Sequence, residues 1–175
     1  MSWLNRKLAI SSWLTPKRKR YRYLRDFIFL ALFAFALLSY QQRHMLSGQA
    51  PAIDAISTQG EAIHFANVQP TLVYFWGTWC PVCRITSPMV NSLAPGAKVI
   101  SIAVGSGTDE QINQFMLEHQ YQFDVINDKT QLHQTWGAMA FPSIYIVDAE
   151  GQIRYKTSGA TSSWGMKLRL WLAKF

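Results

Sequence analysis

The stretch TLVYFWGTWCPVC, Thr71 to Cys83, constrains this chain more than any other. Its first six residues carry no charge, are rich in β-branched and aromatic side chains, and are too few for a helix. They read as a strand buried on both faces. Such a strand needs one layer above it and one below, which means an α/β domain. The rest of the chain agrees. Lys98–Val104, KVISIAV, reads as a second buried strand, and FDVIND as a shorter one. TDEQINQFMLEHQ reads as a helix that Thr108 and Gln111 start with a capping box, with Ile112, Phe115 and Met116 on one face. SIYIVD and QIRYKTS flank the turn Asp148–Gly151 as a hairpin. Trp164, Leu168, Trp171, Leu172 and Phe175 then recur at helical spacing behind Ser162 and Ser163. We read the tryptophans of this last helix as core or interface residues. The fold class is therefore α/β, a mixed central β-sheet flanked by helices.

Cys80 and Cys83 are the only cysteines among the 175 residues. A structural zinc site takes four ligands, and the four histidines (His44, His64, His119, His133) are scattered without a second Cys-x-x-Cys. Haem attachment needs His after the second cysteine, and position 84 is Arg. A purely structural disulfide closing so small a loop constrains the unfolded chain little. Two readings carry further. In one, the pair exchanges electrons. A helix runs from the cysteines to about Leu93, interrupted by Pro88, and Pro81 suits its first turn. Cys80 then sits where unpaired N–H groups favour a thiolate, with Cys83 one turn on to resolve a mixed disulfide. In the other, the same two soft thiolates bind or buffer Cu(I), with Met89 as a further sulfur.

The charge is concentrated at one end. The first 26 residues hold eight of the 17 Lys and Arg side chains and one of the ten acids. The remaining 149 are balanced at nine of each, so the formal net charge of +7 does not mark the folded part as a nucleic-acid binder. Behind the cationic block, Phe27–Tyr40 (FIFLALFAFALLSY) is uncharged over 14 residues. SYQQRHMLSGQAP, which follows, has no small-x-small cleavage site near the apolar end. We therefore expect an uncleaved N-terminal transmembrane helix over 25–43, with Arg22 and Arg25 snorkelling. The positive-inside rule places residues 1–24 in the cytoplasm, with linker 44–58 and domain 59–175 across a bacterial inner membrane in the disulfide-permitting periplasm. The first 14 residues read either as a segment on the inner membrane surface or as an unstructured tail.

Beyond these readings, FWGTWCPVC with Pro88 behind it, GAMAFPSIYIVDAEGQI, and Ser158–Ala160 before the last helix resemble the thioredoxin superfamily in order and spacing over about residues 50–175. With the N-terminal anchor, the chain is similar to the membrane-tethered TlpA and ResA group. Within that group, Cys-Pro-Val-Cys looks most like the branch that suppresses copper sensitivity. The resemblance implies a thioredoxin fold and a protein disulfide oxidoreductase with Cys80 as nucleophile and Cys83 as resolving thiol. It implies a cis peptide bond before Pro142, and substrate contact through Trp79, Pro81, Phe141 and Pro142. It implies no metal and no cofactor beyond the redox-active disulfide. The partners would be oxidised periplasmic proteins, with a membrane electron-transfer protein re-reducing the pair. One departure matters. Many thioredoxins bury an acid where this chain has Tyr74, so Glu61, Glu110 or water would have to carry the proton at the resolving thiol.

Overall fold

The computed structural model describes residues 15–65 and 69–175, and its contacts divide the chain into two units at Tyr40/Gln41. The first unit contains helix α1, Thr15–Gln41. From Tyr21 onward its described apolar side chains, Phe27, Phe29, Leu30, Phe33 and Phe35 among them, are exposed. The expected transmembrane helix over 25–43 needs correction. Among the described residues no helix is long and apolar enough to cross a membrane. The uncharged run of 14 residues is about 21 Å long at helical rise, against about 30 Å of hydrocarbon. The turns before it are cationic. The reading of residues 1–14 lies outside the described residues.

The second unit is built on a six-stranded mixed sheet. In chain order its elements are β1 (Gly48–Gln49), β2 (Asp54–Ile56), β3 (Ala62–His64), β4 (Thr71–Trp76), α2 (Pro81–Asn91), β5 (Lys98–Ala103), α3 (Asp109–Glu118), β6 (Val125–Asn127), α4 (Leu132–Thr135), β7 (Ser143–Val147), β8 (Gln152–Ser158) and α5 (Ser163–Leu172). The sheet order is β1-β8-β7-β4-β5-β6, while β2 and β3 form a separate hairpin. Central β4 pairs parallel to β5 and antiparallel to β7. All six of its residues are buried. Because side chains alternate across a strand, Leu72, Tyr74 and Trp76 enter one core with residues of α2, α3 and α5, such as Val90, Ile112 and Met166. Val73 and Phe75 enter the other with Ile53, Ile63, Trp136 and Tyr145. Among the described residues, both cores draw only on those between Met45 and Ala173, so the unit 41–175 carries a core of its own.

Three further sequence readings change. Residues 44–58, expected as a linker, belong to the packed unit: Met45, Ala50 and Ile53 are buried, and β1 pairs with β8. Their pairing partner lies about a hundred residues away, so no local pattern announces it. Pro88 does not interrupt α2, which runs through it to Asn91. Proline deprives the carbonyl four residues earlier of its N–H partner; that residue is Arg84, which lies with Pro88 on the exposed side of the helix, where solvent can reach it. Along α5, Met166 and Leu170 are buried, as is the C-cap Ala173, while Trp164, Leu168, Trp171, Leu172 and, beyond the helix, Phe175 are exposed, so of the two readings of its tryptophans the core one is corrected.

Candidate active site

The cysteines lie where β4 ends and α2 begins. The chain turns tightly between them. A Cβ on Gly77 would stand 2.6 Å from Trp79 Nε1 and 3.1 Å from the Val104 carbonyl oxygen, so only glycine lets the Trp79 indole fold back here. That indole donates to the Val104 carbonyl at 3.0 Å, and the Thr78 amide donates to Ser106 Oγ at 3.1 Å. The turn is thus tied to the end of β5 before the helix starts. Cys80 is the N-cap of α2 and Pro81 its first residue. The Cys83 amide donates to Cys80 Sγ at 3.2 Å. No acid stands in the first turn, so the positive end of the helix dipole falls on the Cys80 sulfur uncompensated. Cys80 and Cys83 are joined as a disulfide with Cα atoms 5.2 Å apart, and both are buried.

Above the disulfide is a partly exposed rim. The Phe141–Pro142 peptide bond is cis, and Cys80 Sγ lies 3.7 Å from the Phe141 carbonyl oxygen. The Phe141 ring meets the Trp79 indole edge-on with centroids 5.7 Å apart. Trp79 is 55% exposed and Pro142 is buried. The Pro142 carbonyl accepts from the Gly159 amide at 2.9 Å, so the loop after β8 supports the rim from behind. The structure therefore gathers Trp79, Cys80, Pro81, Cys83, Phe141 and Pro142 at one place. It also adds a residue that sequence reasoning did not single out. His133 lies against Phe141, ring centroids 6.3 Å apart, and pairs through Nδ1 with Asp128. The Asp128 carboxylate also accepts from the Leu132 and His133 amides. The signal for it was Asp128 standing just ahead of the short α4.

Below the disulfide is a floor of hydroxyls. Tyr74, fully buried, shares a hydrogen bond of 2.9 Å with Ser87 Oγ and donates to the Cys83 carbonyl at 3.4 Å. Tyr121, half-buried, stacks on Phe123, which meets the Tyr74 ring edge-on. Burial pushes the Tyr74 phenol well above its ordinary range, and the bond to Ser87 offsets only part of that. Desolvation raises Tyr121 as well. Glu61 and Glu110 are both exposed, one at the β2–β3 turn and one in the first turn of α3. Ser87 and Tyr121 belong to no motif, and only the packing of α2 against the loop after α3 brings them to the same side of the core. Met89 is six residues past Cys83, about 9 Å along the helix, and packs partly buried against the core. Among the described residues no group of three or more His, Cys, Asp or Glu side chains is placed to hold a metal ion.

Residues 46–156 match the AhpC/TSA family. A thioredoxin-like protein of Haemophilus influenzae is 35% identical over 145 residues, covering 80% of this chain and 86% of that protein. The thiol:disulfide interchange protein DsbE of Pseudomonas aeruginosa is 29% identical over 143 residues, covering 76% and 79%. StoA of Bacillus subtilis has a similar fold, with a TM-score of 0.61 at 19% identity over 70% of this chain and 96% of that one.

Proposed function

This chain belongs to the AhpC/TSA family of thioredoxin-fold proteins, and on that premise we propose that it is a thiol–disulfide oxidoreductase that reduces disulfides of exported proteins. The observation that carries the reading is the Cys80–Cys83 disulfide at the N-terminus of α2, beneath Trp79 and beside the Phe141–Pro142 segment. In the reduced protein the Cys80 thiolate, stabilised by the Cys83 amide and the helix dipole, attacks a substrate disulfide. A Cys80–substrate bond forms, and the departing substrate sulfur takes up a proton. Cys83, as thiolate, then attacks the Cys80 sulfur. The intramolecular disulfide closes and the second substrate sulfur leaves reduced. Two electrons pass to the substrate, and a membrane electron-transfer partner returns two to the pair. The exchange itself calls for no metal and no organic cofactor. Trp79 and Phe141 form the surface that the substrate meets, and Pro142 behind them, lacking an N–H, leaves neighbouring backbone free to pair with an extended substrate segment.

The reading extends to location. The exposed apolar half of α1, behind a cationic stretch, supports attachment to a membrane, and a redox pair that serves exported proteins suits the disulfide-permitting periplasm. Recovery of soluble periplasmic protein that begins after about residue 45 would overturn it.

The redox reading is tested with Cys83→Ser. This variant should accumulate disulfide-linked complexes through Cys80 on non-reducing gels, and thiol alkylation in cells should find the parent pair mostly reduced. A mostly oxidised pair would reverse the direction. If no complex is trapped and the purified protein instead retains stoichiometric Cu(I) against a competing chelator, the two thiolates serve copper binding.

A further inference from the structure

The apolar stripe of α5 is left uncovered by the fold. Trp164, Trp171 and Phe175 are 75%, 55% and 87% exposed, and Leu168 and Leu172 lie between them on the same side. The rings of Trp171 and Phe175 pack edge to face at 5.4 Å, so they form one aromatic unit. Soluble domains seldom leave so much apolar surface together without a use for it. The charged side chains that this segment itself carries have one sign. Lys167, Arg169 and Lys174 belong to this segment, and no acid follows Glu150 in the sequence. Beside Trp171 opens a groove of about 620 Å³ whose walls include Lys98, Lys167 and Lys174, with no acid among the described residues that line it. Lys98 uses one donor on the His64 carbonyl at 3.1 Å and has others to offer.

We propose that α5 docks this domain on an anionic phospholipid surface, its aromatic stripe entering the interface and the lysine-lined groove taking a headgroup phosphate. Tryptophan suits the headgroup level because its ring is apolar and its N–H polar. Lysine and arginine beside a hydrophobic helix face add attraction to anionic lipid. A second copy of the chain fits this surface poorly, because pairing two stripes would oppose two sets of cations with no acid to answer them. The docking geometry also serves the cysteines. The groove is lined by Pro70, before β4, and by Ser92, after α2, whereas the disulfide lies at the opposite ends of both elements. The 11 residues of α2 separate the two by about 16 Å, so the rim stays clear of the bilayer.

The test uses residues 41–175 alone, so that α1 contributes nothing. They should sediment with vesicles of equal parts phosphatidylglycerol and phosphatidylcholine and not with phosphatidylcholine vesicles. Reversing Lys167 and Lys174 together to Glu should weaken binding by at least about tenfold. Trp171→Ser with Phe175→Ser should remove it, and acyl-chain bromine should quench the parent's indole emission but not that of the variant lacking both Trp164 and Trp171. Dithiol exchange at the cysteine pair should be unchanged in every variant, which separates lost docking from lost folding and from failure of the redox reading. Equal binding to both vesicle types, variants that bind like the parent, or a parent that binds no vesicle but self-associates through the stripe would each overturn the proposal.

Discussion

The disulfide has two neighbourhoods of opposite character. Its rim is partly exposed and largely apolar, with Trp79 edge-on to Phe141 and a backbone carbonyl 3.7 Å from Cys80 Sγ. Its floor is largely buried and polar, with Tyr74 and Ser87 joined by a hydroxyl hydrogen bond and the half-buried Tyr121 at its edge. Neither presents a carboxylate to the sulfurs. The activation of Cys80 is therefore assigned to backbone: the N-cap position, the Cys83 amide and an acid-free first turn. A buried acid in the floor would add a proton carrier near neutral pH. Burial holds Tyr74 protonated there, so it can donate a hydrogen bond but cannot act as a base. The rim selects and the helix start reacts, while the floor supports both without taking part in the titration.

The largest expected effect falls on the helix start. Cys80→Ser should abolish exchange and trap no substrate, because the attacking sulfur is gone, whereas Cys83→Ser keeps the first step and loses only resolution. Turnover of a fluorescent disulfide peptide by the two variants reads the difference. Activity surviving in Cys80→Ser would move the nucleophile to Cys83 and invert the comparison.

The rim is broken next by Gly77→Ala. The new methyl would lie 2.6 Å from the Trp79 indole nitrogen and 3.1 Å from a backbone oxygen that cannot give way easily. The indole has to swing out, losing its bond to Val104 and its contact with Phe141. The cost should be about 2 kcal/mol of stability, in the range of overpacking. The substrate KM should rise more than kcat falls, because the helix start itself is untouched. Denaturant unfolding and steady-state kinetics separate the two. A fall in kcat alone would place Trp79 in the reacting geometry rather than on the contact surface.

How much of this was legible in the sequence follows from how local each feature is. The buried strand β4, the β7–β8 hairpin and the Thr108–Gln111 capping box were, since each is set by residues within a few positions of one another. The rim was legible through the resemblance, because Trp79, Phe141 and Pro142 belong to motif segments. The floor was not. Tyr74 was noticed for the acid it replaces, but Ser87 and Tyr121 meet it only through tertiary packing. Strands β1 to β3 were missed because two or three residues carry no usable period. The core face of α5 misled differently: two apolar stripes share that helix, and periodicity cannot say which of them the sheet covers. The larger side chains turned out to be the exposed ones.

The smallest effect sharpens the floor. Tyr74→Phe removes the hydroxyl and keeps the ring stacked near Trp76 and edge-on to Phe123. It should cost about 1 kcal/mol, the usual net worth of one hydrogen bond. Exchange near neutral pH should change by less than about twofold, since a neutral phenol is no base. The pH dependence gives the second readout. Burial raises the folded-state pKa of Tyr74 above its unfolded value. The stability gained by keeping the phenol neutral is complete below the unfolded pKa near 10 and is lost as pH climbs towards the folded value. The parent should therefore lose its advantage over Tyr74→Phe above about pH 10. Both proteins should still decline there, because burial raises Tyr145 as well. Urea unfolding on either side of that pH measures the gap. A gap that stays constant would mean that Tyr74 ionises no harder in the folded protein than in the unfolded one. A large loss of exchange in the variant at neutral pH would mean that the floor does reach the sulfur.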